Sequence, residues 1–489
     1  MQLEFSERIA TNNALAILVA LVLGVALALI LAAAVSFTSP VIVIAGIFAL
    51  AAGIVVMTNI EYGLYAVIGV AILAPFASIP VNLGFNPTFL DLALLALFAM
   101  WFARAMTRQD EDANGASAHF QFTFLGVPIV AFMVLAIFSF VIGMSHAGLQ
   151  VAIVRRFAEI LLAIATYFLI VNVVNTRERL EKVMRVIIIA GAVSAVLGIV
   201  FYFLPRDITI RILSLLRYVK YPDGPGVLRF INDDPEGTLR AISTSVDPNV
   251  LGGLMILMAA LTAPQVFASR PLLPRWVIFG SVAAMFLCLV LTFSRGAFLG
   301  FGVSLVLIAF VKYRRLLPIL MIGAIIFWFI PITQDYISHL LDAFAGADRA
   351  TQMRLGEYKD ALTLISRYPI FGVGFLGSPD LDTYIGVSSV YLLMAEQMGL
   401  VGVAVFLLTM GTFFWNALQA WLDGLRDDAR LSPILLGVCA ALIGAMTAGV
   451  VDHYFFNLDF PHSVTLFWIY VGLGVSAMLL TTGGNGQAR

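Results

Sequence analysis

The chain is built from long apolar runs separated by short polar breaks. Runs of about 18 or more apolar residues are each long enough to cross a bilayer as a helix. They predict about fourteen spans, near 13–37, 40–58, 63–80, 88–103, 124–143, 152–174, 184–204, 247–267, 275–293, 296–311, 316–331, 389–410, 431–451 and 462–481. The fold class expected is therefore all-α, a polytopic helical bundle in a membrane. Two longer polar segments interrupt the series, 205–246 and 332–388. The second carries a helical pattern over 352–366, in which Leu355, Tyr358, Leu362 and Ile365 recur at helical spacing before Pro369 and Gly372 end it. An amphipathic helix lying over the membrane domain is expected there. The resulting division is 1–204 (N-terminal helices), 205–246 (first large loop), 247–331 (central helices), 332–388 (second large loop) and 389–489 (C-terminal helices).

Composition strengthens the membrane reading. Of 489 residues 61% are hydrophobic and 12% charged, with a mean hydropathy of +1.00; a soluble protein carries about 25% charged residues. Net charge is −1, so the position of the charges says more than their sum. Lys and Arg gather in alternate connections, at Arg104 and Arg108, Arg177 to Arg185, Arg270 and Arg275, Lys312 to Arg315, and Arg426 and Arg430. The connections near 38–39, 81–87, 144–151 and 452–461 hold none. The positive-inside rule then places both termini in the cytoplasm and both large loops outside, since long loops are exempt from the count. The N-terminus lacks the basic region and cleavage site of a signal peptide, so the first apolar run is expected to be retained. Cys288 and Cys439 lie inside apolar runs and read as packing residues.

With that orientation a few charges face outward in unusual places. Arg295 stands in "LTFSRGAFLG", a break with almost no loop. It is either a side chain snorkelling to headgroups or a site residue, with Gly296 leaving room for close approach of a ligand. Arg155 and Arg156 fall just inside a span, with Glu159 one helical turn after Arg155. Either they serve an anionic ligand or the span starts later and they sit at headgroup level. Arginine in this setting suits a pyrophosphate, to which it offers bidentate donors. Asp247-Pro248 makes a good helix cap and first turn, which accounts for Asp247 and leaves Arg240 over. His453 and Asp452 in the last outer loop are candidates for acid–base work, against the plainer reading as polar loop residues. No metal-binding, Walker or dinucleotide motif is present, so neither cofactor nor metal nor nucleic acid is expected.

"LTFSRGAFLG", then "MRLGEYKDALTLISRYPIFGVGF", then "SSVYLLMAEQMGLVGVAVFLL" resemble, in order and spacing, the O-antigen ligase and O-antigen polymerase superfamily over roughly 240–410. The resemblance implies a glycosyltransferase at the outer face of the bacterial inner membrane. It would take a glycan from undecaprenyl pyrophosphate to an acceptor hydroxyl, with a flippase and a chain-length regulator as possible partners. Arg295 and Arg354 match the family's two functional arginines, and Pro369, Gly372 and Gly374 match its returning turn. Arg240, Arg155, Arg156, Glu357, Tyr358, Ser388, Ser389 and Tyr391 are further substrate-contact candidates. Where family ligases carry His-Asn, this chain has Ser388-Ser389. That departure favours a polysaccharide polymerase or another divergent member over a lipid A–core ligase. Either another group, among His453, Asp452, Asp382 and Glu357, assists the acceptor hydroxyl, or little base assistance is needed because the pyrophosphate is already an excellent leaving group. A transporter or flippase is the reading from another class, although such a protein would place its charges within helices and not in external loops.

Overall fold

In the computed structural model the described residues are 53, 57–79, 85–107, 120–329, 349–380 and 382–482. The expected spans near 13–37 and 40–58 lie outside them, apart from residues 53, 57 and 58. The chain divides into two compact units, Met1–Tyr62 and Gly63–Arg489. In the first, the described residues lead into a helix whose start is fixed by the Asn59 side chain accepting from the Glu61 amide at 2.9 Å.

Among the described residues the helices are α1 (Ile60–Leu73), α2 (Phe89–Thr107), α3 (Gly126–Gly143), α4 (Val151–Val173), α5 (Arg177–Phe203), α6 (Arg206–Ser214), α7 (Pro248–Val266), α8 (Arg275–Leu291), α9 (Arg295–Val311), α10 (Leu316–Phe329), α11 (Arg349–Arg367), α12 (Val390–Leu422), α13 (Leu431–Ala448) and α14 (Pro461–Thr482). Seven of them, α3, α4, α5, α7, α12, α13 and α14, are long and apolar enough to cross a membrane; α1, α8 and α9 are shorter apolar helices. The chain is an all-α, multi-pass membrane protein.

α7 and α14 are buried on every side, which for an apolar helix marks the centre of a bundle. α14 packs along α4, while α7 and α9 both pack along α13. Small residues let the backbones approach, as expected where lipid supplies no hydrophobic drive between helices. A Cβ on Gly437 would meet the Leu261 carbonyl at 2.6 Å, and Ser304 of α9 donates to the Ala440 carbonyl of α13 at 2.8 Å.

The polar segment 205–246 has a small core of its own. Leu213 of α6, Val227, Leu228 and Ile242 bury against Phe201. A two-residue antiparallel pair, β1 (Arg229–Phe230) with β2 (Leu239–Arg240), closes the segment.

Two sequence expectations are corrected here. The span expected at 389–410 is a longer helix, Val390–Leu422, broken at Gly399 with φ 69° and ψ −178°. The freed carbonyls of Glu396 and Gln397 accept from Val373 and Gly374 at 2.8 and 3.0 Å, and Leu400 donates to Pro369 at 2.8 Å. Thus the turn holding Gly372 (φ 67°) and Gly374 (φ 85°) docks into the break. A break at membrane depth is tolerated because protein groups satisfy the exposed backbone. The second correction concerns the loop helix. α11 buries Ala361 and Leu364, whereas Leu355 and Leu362 are exposed. At about 100° per residue the inward face centres near 361, so the expected leucine stripe lies a quarter turn aside.

Candidate functional site

The site is built where three helices begin. Asp247 caps α7 by accepting from the Asn249 and Val250 amides at 2.7 and 3.1 Å. Ser294 caps α9 by accepting from the Ala297 amide at 3.4 Å. Each capping segment is preceded by a strained residue, Val246 (φ 61°) and Phe293 (φ 50°). A β-branched residue at positive φ costs of order 1–3 kcal/mol and persists only where its surroundings enforce it. Arg240, at the end of β2, ties the two starts together. Its Nε donates to the Thr292 carbonyl at 2.8 Å and its Nη2 to the Asn249 side chain at 2.7 Å.

Asp452 follows α13 and turns into this junction, only 4% exposed. Its Oδ1 lies 3.6 Å from Arg354 of α11. A Cβ on Gly296 would meet its Oδ2 at 2.7 Å, so α9 presents bare backbone to the carboxylate. The Asp452 carbonyl accepts from the Val390 amide, the start of α12, at 3.0 Å. Burial pushes the Asp452 carboxyl up to about 7; Asp247 adds to the rise, and the Arg354, Arg240 and Arg295 guanidinium groups oppose it. Three arginines, two aspartates and three helix starts with their positive dipole ends therefore share one locality. The guanidinium groups and the dipole ends together suit this locality to an anion.

Beside this junction α11 contributes more. Glu357 accepts from the Ser388 amide and hydroxyl, at 2.9 and 2.7 Å, and the Tyr358 hydroxyl donates to the Ser388 carbonyl at 3.2 Å. Burial pushes the Tyr358 phenol up, and Arg354 opposes that shift. His453 is held below the usual imidazole range by burial, against the pull of Glu357 and Asp247. Several buried polar atoms here have no hydrogen-bond partner: Thr244 Oγ1, Ser245 Oγ, Asp452 Oδ2, His453 Nδ1 and the Tyr454 hydroxyl. Buried polar groups are nearly always paired, so these groups are available to bond solvent or a polar ligand.

The structure thus gathers Arg295, Arg354, Arg240, Asp452, His453, Glu357, Tyr358 and Ser388, and engages the other candidates elsewhere. Asp382 is exposed and pairs with Arg367 at 3.6 Å, thirteen residues or about 20 Å along α11 from Arg354. Arg155 pairs with Asp91 at 2.7 Å and with Glu159 at 3.1 Å. Arg156 pairs with Asp459, in the same loop as His453. Tyr391 donates to the Met446 carbonyl at 2.9 Å, and Ser389 is buried where α12 starts. Sequence reasoning passed over Asp247 as a charge, and Thr244, Ser245 and Tyr454 altogether. The polar run "STSVDPN" ahead of an apolar span was the available signal. Among the described residues no three His, Cys, Asp or Glu side chains are grouped to hold a metal ion.

Residues 280–407 match the family model described as O-Antigen ligase. The match covers Arg295, the whole of α11, Ser388 and the break in α12, and bears out the resemblance read from the sequence. Arg240, Asp247 and Asp452 lie outside it. No curated protein matches the chain significantly.

Proposed function

We propose, from an O-antigen-ligase-type domain set in a multi-pass bundle, that this protein is a membrane glycosyltransferase acting on polyprenyl-pyrophosphate-linked glycans. The observation that carries the proposal is the gathering of Arg240, Arg295 and Arg354 with the buried Asp452 where α7, α9 and α12 begin. In this reading the donor's pyrophosphate lies against the arginines, and the acceptor sugar enters beneath α11. The acceptor hydroxyl attacks the anomeric carbon, and the bond to pyrophosphate breaks as charge builds on the leaving group. Fixed cations stabilise that charge more in the transition state than in the bound donor, and the loss of one such group costs about 10²–10³-fold in rate. Asp452 holds Arg354 in place and offsets part of the positive charge before the donor arrives. Pyrophosphate is a good leaving group, so the reading needs neither a nucleotide sugar nor a metal.

The serine at 388, in place of the family histidine, supports a polysaccharide polymerase, of O-antigen or exopolysaccharide, ahead of a ligase to lipid A–core or protein. The charge pattern of the connections supports a site on the extracytoplasmic face of the inner membrane, with both termini in the cytoplasm. A flippase and a chain-length regulator are the partners expected of a polymerase. Purified protein in detergent, given lipid-linked oligosaccharide, tests the proposal. Glycan elongation or transfer without a sealed membrane is expected. Movement of the lipid across vesicles with no new glycosidic bond would favour a flippase instead.

A further inference from the structure

We propose that Ser388 and Glu357 form the proton-accepting pair for the incoming sugar hydroxyl. The inference rests on the glycan-transfer reading and adds the base that reading leaves unassigned.

A serine alone is a poor base at neutral pH, but Ser388 does not stand alone. Glu357 Oε2 accepts from both its amide (2.9 Å) and its hydroxyl (2.7 Å), and Tyr358 holds its carbonyl at 3.2 Å. One turn of α11 thus clamps residue 388 from three sides. The hydroxyl's proton already points to a carboxylate, and its lone pairs remain able to accept from a third group. Ser388 and Glu357 are both half-buried, so the pair is accessible while partly shielded from water. Arg354, three residues before Glu357, shares its face of α11. The group beside the leaving diphosphate and the group beside the attacking hydroxyl are therefore carried on one rigid helix.

The remaining carboxylates are worse placed. Asp452 is paired with Arg354, Asp382 with Arg367, and Glu396 is 1% exposed beneath the loop. The charged and titratable groups around Glu357 include Arg354 and Tyr358 on its own helix, His453 from the last loop and Glu396 from α12. In the step, the acceptor oxygen bonds to the anomeric carbon as the carbon–oxygen bond to diphosphate breaks. The acceptor proton passes to Ser388 Oγ while the serine's own proton passes to Glu357 Oε2. The electron pair of the broken bond leaves on the diphosphate.

The test measures initial transfer rates with purified full-length protein in detergent and lipid-diphosphate-linked oligosaccharide, from about pH 5 to 9, for wild type, Glu357→Gln and Ser388→Ala. Removing a general base slows transfer by about 10²–10⁴-fold. Glu357→Gln is expected to fall in that range with an unchanged donor KM. Ser388→Ala, which keeps the carboxylate and the backbone donor, should also lose rate at an unchanged donor KM. Should Glu357→Gln fail to fold, as judged by gel filtration, Ser388→Ala decides. Rates in either folded variant within a few-fold of wild type would overturn the pair as base. A wild-type protein that binds the donor but forms no glycosidic bond would sink the transfer reading itself, a distinct outcome.

Discussion

Asp452→Asn separates the buried carboxylate's charge from its shape. Asp452 is 4% exposed, and its carboxyl is pushed from an ordinary 3.8 up to about 7, chiefly by burial. A raised value means that the folded state keeps this proton after the unfolded chain has released it. Its stabilising contribution is complete below about pH 4, declines as pH rises, and is gone above about pH 7. The interval is roughly three pH units at about 1.4 kcal/mol each, or about 4 kcal/mol in all. Of this, about 3 kcal/mol falls between pH 5 and 7, the part accessible with protein in detergent. Asparagine fills the same space and does not titrate. Thermal unfolding of both proteins at fixed ionic strength should show wild type losing that stability relative to the variant from pH 5 to 7, with parallel behaviour above. Profiles parallel over the whole range would refute the picture of a desolvated carboxylate whose arginine neighbours only partly offset its burial.

Two further outcomes follow from the geometry. Gly399→Ala places a Cβ at φ 69° against the Ile370 backbone. Strain alone costs about 1–3 kcal/mol, and the collision adds to it, so the yield of monodisperse protein on gel filtration should drop sharply. Asp382→Asn should leave the transfer rate unchanged, because Arg367 retains Asp380 at 2.8 Å and the pair sits far along α11 from Arg354; a large loss in the same rate assay would return Asp382 to the site.

Much of the architecture was legible because a bilayer imposes length and apolarity on every span. The same constraint made Arg295 conspicuous, since few residues separate α8 from α9 and a charge there needs a reason. The loop helix was legible from its period, yet its inward face was misplaced. Hydrophobicity marked Leu355 and Leu362, while burial follows Leu364 and Ala361, the latter packed in one cluster with Val387 and Leu393. The break in α12 has no local signature beyond a glycine, because its cause is a distant turn, 369–374, that supplies the missing backbone partners. Asp247 illustrates a similar limit. Its capping bonds are real and sufficient, and only the folded chain shows that the cap also stands beside Asp452, His453 and Tyr454. Strain at Val246 and Phe293 likewise belongs to the packed state, since neither residue type favours positive φ.

The central claim is that Arg295 and Arg354 bind and stabilise a lipid-linked diphosphate. The most direct measurement compares purified wild type with Arg295→Ala and Arg354→Ala for turnover of lipid-diphosphate-linked oligosaccharide in detergent, following the glycan product at matched folded protein. The account predicts new glycosidic bonds with wild type and a loss of about 10²–10³-fold or more in each variant. Wild-type product formation that persists unchanged in both variants would contradict it.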